Sequence, residues 1–517
     1  MSLTKRARWR RPVLAAAAAA MLASAGCSAA TQGPGAAGAA GDDGTLVVAQ
    51  AYDVDPGSFL KTAIGNIVVE YSVFETLTLI DPETTEPRGV LAESWELAPD
   101  ATSMSITLRD DVTFHSGRRL TSADVAFTLE QAQDPSVGAA NQSIAAQISE
   151  IRPDGDHGLE LTFAQPLPNV FDLFETLPIL NEDAYDDYAA GRDVDGTGRF
   201  RWESWTPGGE IVLSRYDEHR DAENTELDGI QIDVITDPTA LTSAIRSGRA
   251  QYAVGLPPGD ARSLGEQPGF ELVATGGAAF PVAFDVTQQP FDDPAVRRAV
   301  QYAIDRDRIV EQVEGGHGVA TSVPWRSTTV GYDEAQAAHY SYDPDRAEEL
   351  LAEAGVAPGT SFEVAMGDTP EATGIFQIVQ NNLADVGLNA EPVILNGPDY
   401  EERLATRNFS EPVVLMQAGN GLSPASAVVS RPELVPANNV SGFETAEYDA
   451  LVDAVTSASS PEERERALRE FNDYFIDQAF AVPLISRPTL SVRTEAVSDI
   501  VATQMGFLYI AEASLSD

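Results

Sequence analysis

The chain is poor in basic residues and in cysteine. Its 517 residues include 80 acidic side chains against 33 basic ones, which gives a formal net charge of −47 at pH 7. A surface of that sign repels phosphate backbones and anionic lipid headgroups, so we expect no nucleic-acid partner. Because Cys27 is the single cysteine, no disulfide can form within the chain.

The common signatures of catalysis are also missing from the sequence. The five histidines form no HExxH pair, and no GxSxG motif or P-loop lysine accompanies the glycines. Paired carboxylates carry no information here, since 80 acidic residues produce such pairs by chance. We therefore expect a protein that is not an enzyme, with no catalytic residue, metal site or cofactor. The alternative, a secreted hydrolase, requires a titratable pair with perturbed pKa values in a cleft.

Long apolar runs are absent except near the N-terminus. Residues 13–25 form an apolar stretch that follows five basic residues and is too short to span a bilayer. This pattern predicts a signal peptide, residues 1–26. The small residues before Cys27 resemble a lipoprotein signal, which implies a lipid on the thiol, although Ser24 stands where that signal prefers leucine. Cleavage that leaves a free thiol is the alternative, and Arg10-Arg11 leaves both general and twin-arginine export open.

The stretch after the cysteine cannot build a core. Residues 28–44 contain almost no large apolar side chain, which predicts a flexible tether. The remaining chain is too long for one core and indicates two or three domains.

Residues 91–130 carry the most informative pattern. Ser103–Leu108 alternates polar and apolar side chains, which predicts a strand, and Thr121 followed by Asp124 predicts the capped start of a helix. This region resembles the signature of the extracytoplasmic solute-binding proteins of ABC importers, peptide/nickel class (family 5). The resemblance rests on three segments in this order and at these spacings, LAESW, LRDDVTFHSG and LTSADVAFTLE. PFDDPAVRRAVQYAIDRDRIVEQVEGGHG is similar to the helix pair of the same family. An unrelated hairpin followed by a capped helix is the alternative.

Local signals place further elements. Asp-Pro pairs at 237–238, 293–294 and 343–344 each predict a helix start, since aspartate caps and proline suits the first helical position. Residues 413–416, 479–485 and 489–492 are expected to form separate strands. His115, in the FHSG turn, is expected to bind backbone groups.

The resemblance implies an α/β, two-lobed periplasmic-binding-protein fold with mixed sheets and an inserted α+β subdomain in the first lobe. In this numbering, residues 27–44 are the lipidated tether. The first lobe comprises residues 45–71, 196–284 and 487–517, the insertion residues 72–195, and the second lobe residues 285–486.

The resemblance also implies a function. The protein would be a monomer that contacts the membrane only through its lipid, captures a peptide or similar small polar solute between the lobes, and delivers it to ABC permease subunits. Two alternatives remain open. One is a carrier of a non-peptide ligand such as a sugar, an opine or a metal chelate, and the other is a surface receptor that signals.

By family position, seven residues are candidates for ligand binding: Tyr52, Phe284, His317, Trp325, Gln417, Asn420 and Ser423. Each aromatic residue could instead belong to a core, and His317 could be an exposed loop residue.

The loop that contains Asn420 and Ser423 departs from the family pattern. Peptide-binding members usually carry aspartates in this loop, one of which pairs with the ammonium group of the peptide. Two neutral residues cannot neutralise that charge, so we expect no selection of free amines by this loop. The alternative is that another acid, such as Asp53 or Asp285, reaches the same point.

Overall fold

The computed structural model describes residues 44–61, 63–81, 86–192, 194–327, 329, 331–415, 423–458, 460–503 and 506–516. The predicted signal peptide, Cys27 and nearly all of the tether lie outside these residues, as do Gln417 and Asn420.

The described residues form α-helices, strands and three short 3-10 helices. The strands are β1 Thr45–Gln50, β2 Thr78–Ile80, β3 Pro87–Gly89, β4 Ala92–Leu97, β5 Ser103–Leu108, β6 Ile148–Asp154, β7 Gly158–Phe163, β8 Phe200–Trp205, β9 Glu210–Arg215, β10 Gly229–Val234, β11 Tyr252–Val254, β12 Phe270–Ala283, β13 Val319–Ala320, β14 Thr360–Gly367, β15 Leu388–Leu395, β16 Val413–Val414, β17 Ala481–Thr494, β18 Val497–Ser498, β19 Val501–Ala502, β20 Leu508–Tyr509 and β21 Ser514–Leu515.

The α-helices are α1 Ile67–Val73, α2 Ser122–Gln133, α3 Gln142–Ala145, α4 Val170–Thr176, α5 Tyr185–Tyr188, α6 Pro238–Arg246, α7 Pro258–Gly265, α8 Pro294–Ala303, α9 Arg306–Gln312, α10 Glu334–Ala337, α11 Pro344–Glu353, α12 Pro370–Asp385, α13 Gly397–Thr406, α14 Pro424–Ser430, α15 Ala446–Ser457 and α16 Pro461–Gln478. The 3-10 helices are Pro56–Lys61, Ala222–Asn224 and Ile510–Glu512. None of the helices described is long and apolar enough to cross a bilayer.

One mixed sheet runs through most of the molecule in the order β15-β14-β16-β12-β17-β11-β1-β10-β9-β8, with β13 paired to β17. Its two central strands, β12 and β17, are each 14 residues long and antiparallel. One half of this two-stranded ribbon continues into β11 and the parallel strands β1 and β10. The other half continues into β16 and the parallel pair β14 and β15. The ribbon therefore joins two halves of the sheet.

The ribbon is irregular near its middle. Its register shifts between Thr275 and Ala278, opposite residues 487–489. Gly277 lies there with φ +126°, and a Cβ on it would stand 2.3 Å from the carbonyl oxygen of Arg487. A larger residue at this position would force the two strands apart, which explains the glycine.

A separate four-stranded antiparallel sheet has the order β4-β5-β7-β6. It belongs to the segment predicted as an insertion. Its apolar face packs in the same cluster as β1 side chains, with Leu46, Val48, Met104, Ile106 and Leu161 all buried. This segment therefore shares its core with the first half of the molecule.

The apolar side chains divide in the same way as the sheet. One cluster draws its members from residues 46–252 and 497–513, whereas two others draw theirs from residues 280–485. The structure is thus a mixed α/β fold with two groups of cores joined by the ribbon. The domain boundaries given above remain a prediction.

Most local expectations are confirmed. β5 spans Ser103–Leu108, and Thr121 and Asp124 form the capping box of α2. The three Asp-Pro pairs each start a helix, at α6, α8 and α11. His115 binds backbone as expected, since its Nε2 lies 2.9 Å from the carbonyl oxygen of Gly198.

The strands expected at 479–485 and 489–492 are present, from Ala481 onward, but they are not separate. β17 runs through both prolines, Pro483 and Pro488, without ending. Its ladder with β12 shifts register next to each proline and resumes on either side, which keeps the strand continuous despite the missing N–H groups. The strand expected at 413–416 is limited to Val413–Val414 in the described residues.

Candidate functional site

Besides the ribbon, the two halves meet where α4 approaches the start of α14. The contact is made by side-chain hydrogen bonds between residues more than 250 positions apart. Oδ2 of Asp172 accepts from the backbone N–H of Ser423 at 3.2 Å and from its hydroxyl at 2.5 Å. The hydroxyl of Ser426 also donates to Oδ2 of Asp172, and the amide of Asn169 donates to the Ser426 oxygen at 2.7 Å.

Local sequence explains why α4 presents acids at this interface. The helix follows Pro166 and Pro168, and Val170, Leu173 and Phe174 anchor it in the large apolar cluster. Asp172 and Glu175 are three residues apart and therefore lie on one face of the helix. Both are buried, Asp172 being 7% exposed and Glu175 0%.

The partner segment carries Ser423 as the N-cap of α14. Its hydroxyl accepts from the N–H of Ser426 in the first turn of the helix. Asp172 therefore lies where the helix offers free N–H groups and partial positive charge, both of which favour a carboxylate.

Burial dominates the electrostatics of this interface. It raises the pKa of Asp172, and the hydrogen bonds from Ser423 and Ser426 and the charge of Arg326 oppose that rise. Burial lowers the pKa of Arg326, and the charges of Glu175 and Asp172 oppose that fall. Burial also raises the pKa of Glu70 well above its usual range, against a hydrogen bond from Asn66. The interface thus combines more carboxyl groups than cations.

Aromatic rings lie beside these acids. Tyr71 follows Glu70 on α1, and its hydroxyl donates to the carbonyl oxygen of Glu175 at 3.3 Å. Its ring stacks on Phe507, with centroids 5.4 Å apart, and lies 5.2 Å from Tyr509. The three rings are buried in one apolar cluster, which walls the acids off on this side. Acceptors and a guanidinium group are among the groups that bind a small polar solute.

Among the described residues, no group of three or more His, Cys, Asp or Glu side chains is arranged to hold a metal ion. An open cavity of about 490 Å³ lies elsewhere, among Arg298, Asp333, Gln336, His339 and Asp473. Its walls are charged and largely engaged with one another, as Gln336 with Asp473 and Arg298 with Asp477. We place the candidate site at the contact between the halves rather than in this cavity.

The predicted ligand-binding residues fall in different surroundings. Tyr52 is 49% exposed directly after β1. Phe284 is buried and stacks on Phe291 at 4.6 Å, and Trp325 is buried with its Nε1–H donating to Asn472 at 2.6 Å. Phe284 and Trp325 thus lie in apolar cores, which was the alternative to a position in a ligand-binding cleft.

Two further candidates are partly engaged. The backbone N–H of His317 donates to the carbonyl oxygen of Glu314 at 3.0 Å. The ring nitrogen Nε2 of His317 is shielded from solvent and has no hydrogen-bond partner among the described residues. Ser423 alone among the described candidates lies in the contact between α4 and α14. The ligand-binding role of all seven residues stays a prediction.

Asp172 is the residue that the sequence analysis missed. The two acids considered there bind elsewhere: Asp53 accepts from Trp205 and Gly208, and Asp285 from Thr287. The available signal was the segment NVFDLFET, in which two acids interrupt an otherwise apolar helix. Acids in such a position are buried and need donors from another segment.

Comparisons with known proteins match the fold described above and identify a protein family. The family model described as "Bacterial extracellular solute-binding proteins, family 5 Middle" matches residues 86–431. Over 428 residues the chain is 25% identical to the glutathione-binding protein GsiB of Salmonella typhi, covering 79% of this chain and 82% of that protein. The relative from Escherichia coli K12 is 23% identical over 446 residues, 83% and 86% of the two chains.

Solved structures share the fold. The binding protein AgaA from A. tumefacien R10, in complex with agropinic acid, matches with a TM-score of 0.76 and 22% identity, over 92% of this chain and 99% of that one. The protein DppA from Helicobacter pylori, in complex with the peptide STSA, matches with a TM-score of 0.75 and 20% identity, over 92% and 98%.

Proposed function

Because this chain belongs to the family 5 bacterial extracellular solute-binding proteins, we propose that it is the lipid-anchored capture component of an ABC importer. It binds a peptide or similar small polar solute between its two halves and delivers it to permease subunits in the membrane. The observation that carries this proposal is the family match across residues 86–431, the span that includes both α4 and the start of α14.

The arrangement of the halves supports a binding mechanism without chemistry. They are joined by the β12–β17 ribbon and touch again at Asp172 and Ser423. A solute enclosed there would contact both halves and stabilise the closed arrangement by its differential affinity. The protein acts as a monomer in this proposal, with the domain boundaries given above, and no cofactor takes part.

Relatives of this chain are named for glutathione binding, and proteins of the same fold are solved with the peptide STSA or with agropinic acid. A second candidate class, a non-peptide polar solute, rests on the neutral residues Asn420 and Ser423, which offer no counter-charge of their own for an ammonium group. Asp172, which contacts Ser423, is the acid from another segment that would supply this counter-charge if the ligand is a peptide.

Native mass spectrometry of the protein as purified tests the proposal. We expect a co-purified small molecule whose mass identifies the class, and its addition to stripped protein should raise the melting temperature with concentration, since only the native state binds it. Glutathione, short peptides and opines form the panel if the protein is purified empty. Release of a chemically changed ligand, or no response to any member of the panel, would contradict the proposal.

A further inference from the structure

The Asp172 contact differs from ordinary surface pairing. A single carboxylate oxygen receives three donors from the other half of the molecule, the N–H and hydroxyl of Ser423 and the hydroxyl of Ser426. Asp172 as a residue is only 7% exposed, so these hydrogen bonds are shielded from water.

The contact is also complete without a ligand. Ser426 accepts a hydrogen bond from Asn169 and donates one to Asp172. α14 is therefore bonded both to α4, through Asp172, and to the residue before α4, Asn169. No solute is required to satisfy these groups, because each side supplies the partner of the other.

We propose that Asp172, with Ser423 and Ser426, is a latch that holds the two halves closed in the absence of ligand. Asp172 is a positioning residue in this scheme: it fixes the start of α14 against α4 rather than binding the solute itself. The latch populates the closed arrangement of the halves before a ligand is present, and a bound ligand adds its own contacts to that arrangement. Because the halves must open for the ligand to leave, the latch slows ligand dissociation.

The charged groups that face the latch come from both halves. Glu175 lies on the same face of α4, and Arg326 reaches the acids from the second half. The Ser423 and Ser426 donors and the charge of Arg326 together oppose the cost of burying the Asp172 carboxyl. Removing those donors, or the carboxylate, should therefore release the halves.

Electron-paramagnetic-resonance distance measurement on the ligand-free protein tests the latch. With Cys27 replaced by serine the chain has no cysteine, so Glu130→Cys on α2 and Glu353→Cys on α11 place one spin label on each half. Both sites are exposed. We expect a short-distance, closed population in the protein with an intact latch, and a fall of at least fivefold in the closed-to-open ratio for Asp172→Asn.

Ser426→Ala provides the second variant, because its small change leaves the helix cap at Ser423 intact. It should lower the closed-to-open ratio in the same direction. The double variant should lose less than the sum of the two single effects, because both substitutions remove the hydrogen bond between Asp172 and Ser426, while only Ser426→Ala also removes the one from Asn169. Asp186→Asn, an exposed acid on α5, removes the same charge from the same half and should change nothing.

Three results would overturn the latch: no closed population in the ligand-free protein, an unchanged distance distribution in Asp172→Asn, or additive effects of the two substitutions. Thermal unfolding of each variant distinguishes an open protein from an unfolded one. The measurement needs no ligand, so its failure leaves the proposed function standing.

Discussion

Glu75 offers the sharpest quantitative prediction of this structure. It lies between α1 and β2 and is 7% exposed. Oε2 accepts from Nη1 of Arg220 at 2.9 Å, Oε1 accepts from Nη2 at 2.5 Å, and Nε2 of His219 lies 3.5 Å from Oε1. Burial alone would raise the pKa of Glu75, but the hydrogen bonds from His219 and Arg220 and the Arg220 charge overcome it and lower the pKa from 4.5 to about 2.

The stability contribution follows from the difference between the two pKa values. The folded-state pKa is depressed, so the contribution is present above pH 4.5 and is lost as the pH falls toward 2. A difference of 2.5 units corresponds to about 3 kcal/mol at pH 7, of which about 2 kcal/mol is gone at pH 3. Glu75→Gln also leaves the buried Arg220 without its counter-charge, which brings the expected loss at pH 7 to about 3–5 kcal/mol.

Urea unfolding at pH 7 and pH 3 measures both quantities. The wild type should lose more stability than Glu75→Gln between the two pH values, by about 2 kcal/mol. Glu223→Gln is the matched control, because Glu223 is exposed in the 3-10 helix next to Arg220 and Asp221. Equal pH dependence in wild type and Glu75→Gln would refute the depressed pKa and the reasoning built on it.

Three further predictions concern other parts of the chain. Cys27→Ser should move the protein from the membrane fraction to the medium, since stable attachment needs the acyl chains, and a mutant that stays membrane-bound rules out the lipid anchor. Asn420→Asp should improve binding of short peptides with a free amine over their N-acetylated forms in calorimetry, whereas a clear free-amine preference in the wild type argues against the prediction. Burial raises the pKa of Glu314 to about 8, with Arg487 opposing the rise and Glu371 adding to it. The folded state holds the Glu314 proton more tightly than the unfolded state, so the stabilising contribution of this proton is lost as the pH rises from 4.5 to 8. Glu314→Gln should therefore flatten the decline of the unfolding free energy over that pH range. A decline in the variant as steep as in the wild type contradicts the raised pKa.

Local chemistry explains which parts of the fold the sequence could predict. The Asp-Pro pairs at α6, α8 and α11 mark helix starts because cap and first turn are neighbours in sequence. The capping box at Thr121 and Asp124 works over the same short range. The continuity of β17 could not be predicted in this way, since it depends on pairing with β12, some 200 residues earlier.

The candidate site was harder to predict for the same reason. The family resemblance led to the loop that precedes α14, and Ser423 does lie at the contact. Its partner Asp172 is separated from it by 251 residues, and periodicity shows only that an acid interrupts an apolar helix. The core positions of Phe284 and Trp325 are likewise set by packing, because an aromatic ring serves a cleft wall or a core equally well.

The ribbon of β12 and β17 has a mechanical consequence. The chain passes between the halves twice, once in β12 and once in β17. Because these two strands are hydrogen-bonded to each other, they connect the halves as one two-stranded unit and not as two independent segments. The register shift at Gly277 interrupts the ladder between the two strands, so a bend of the ribbon there would carry one whole half relative to the other. The contact between Asp172 and Ser423 joins the same two halves and would separate in such a bend.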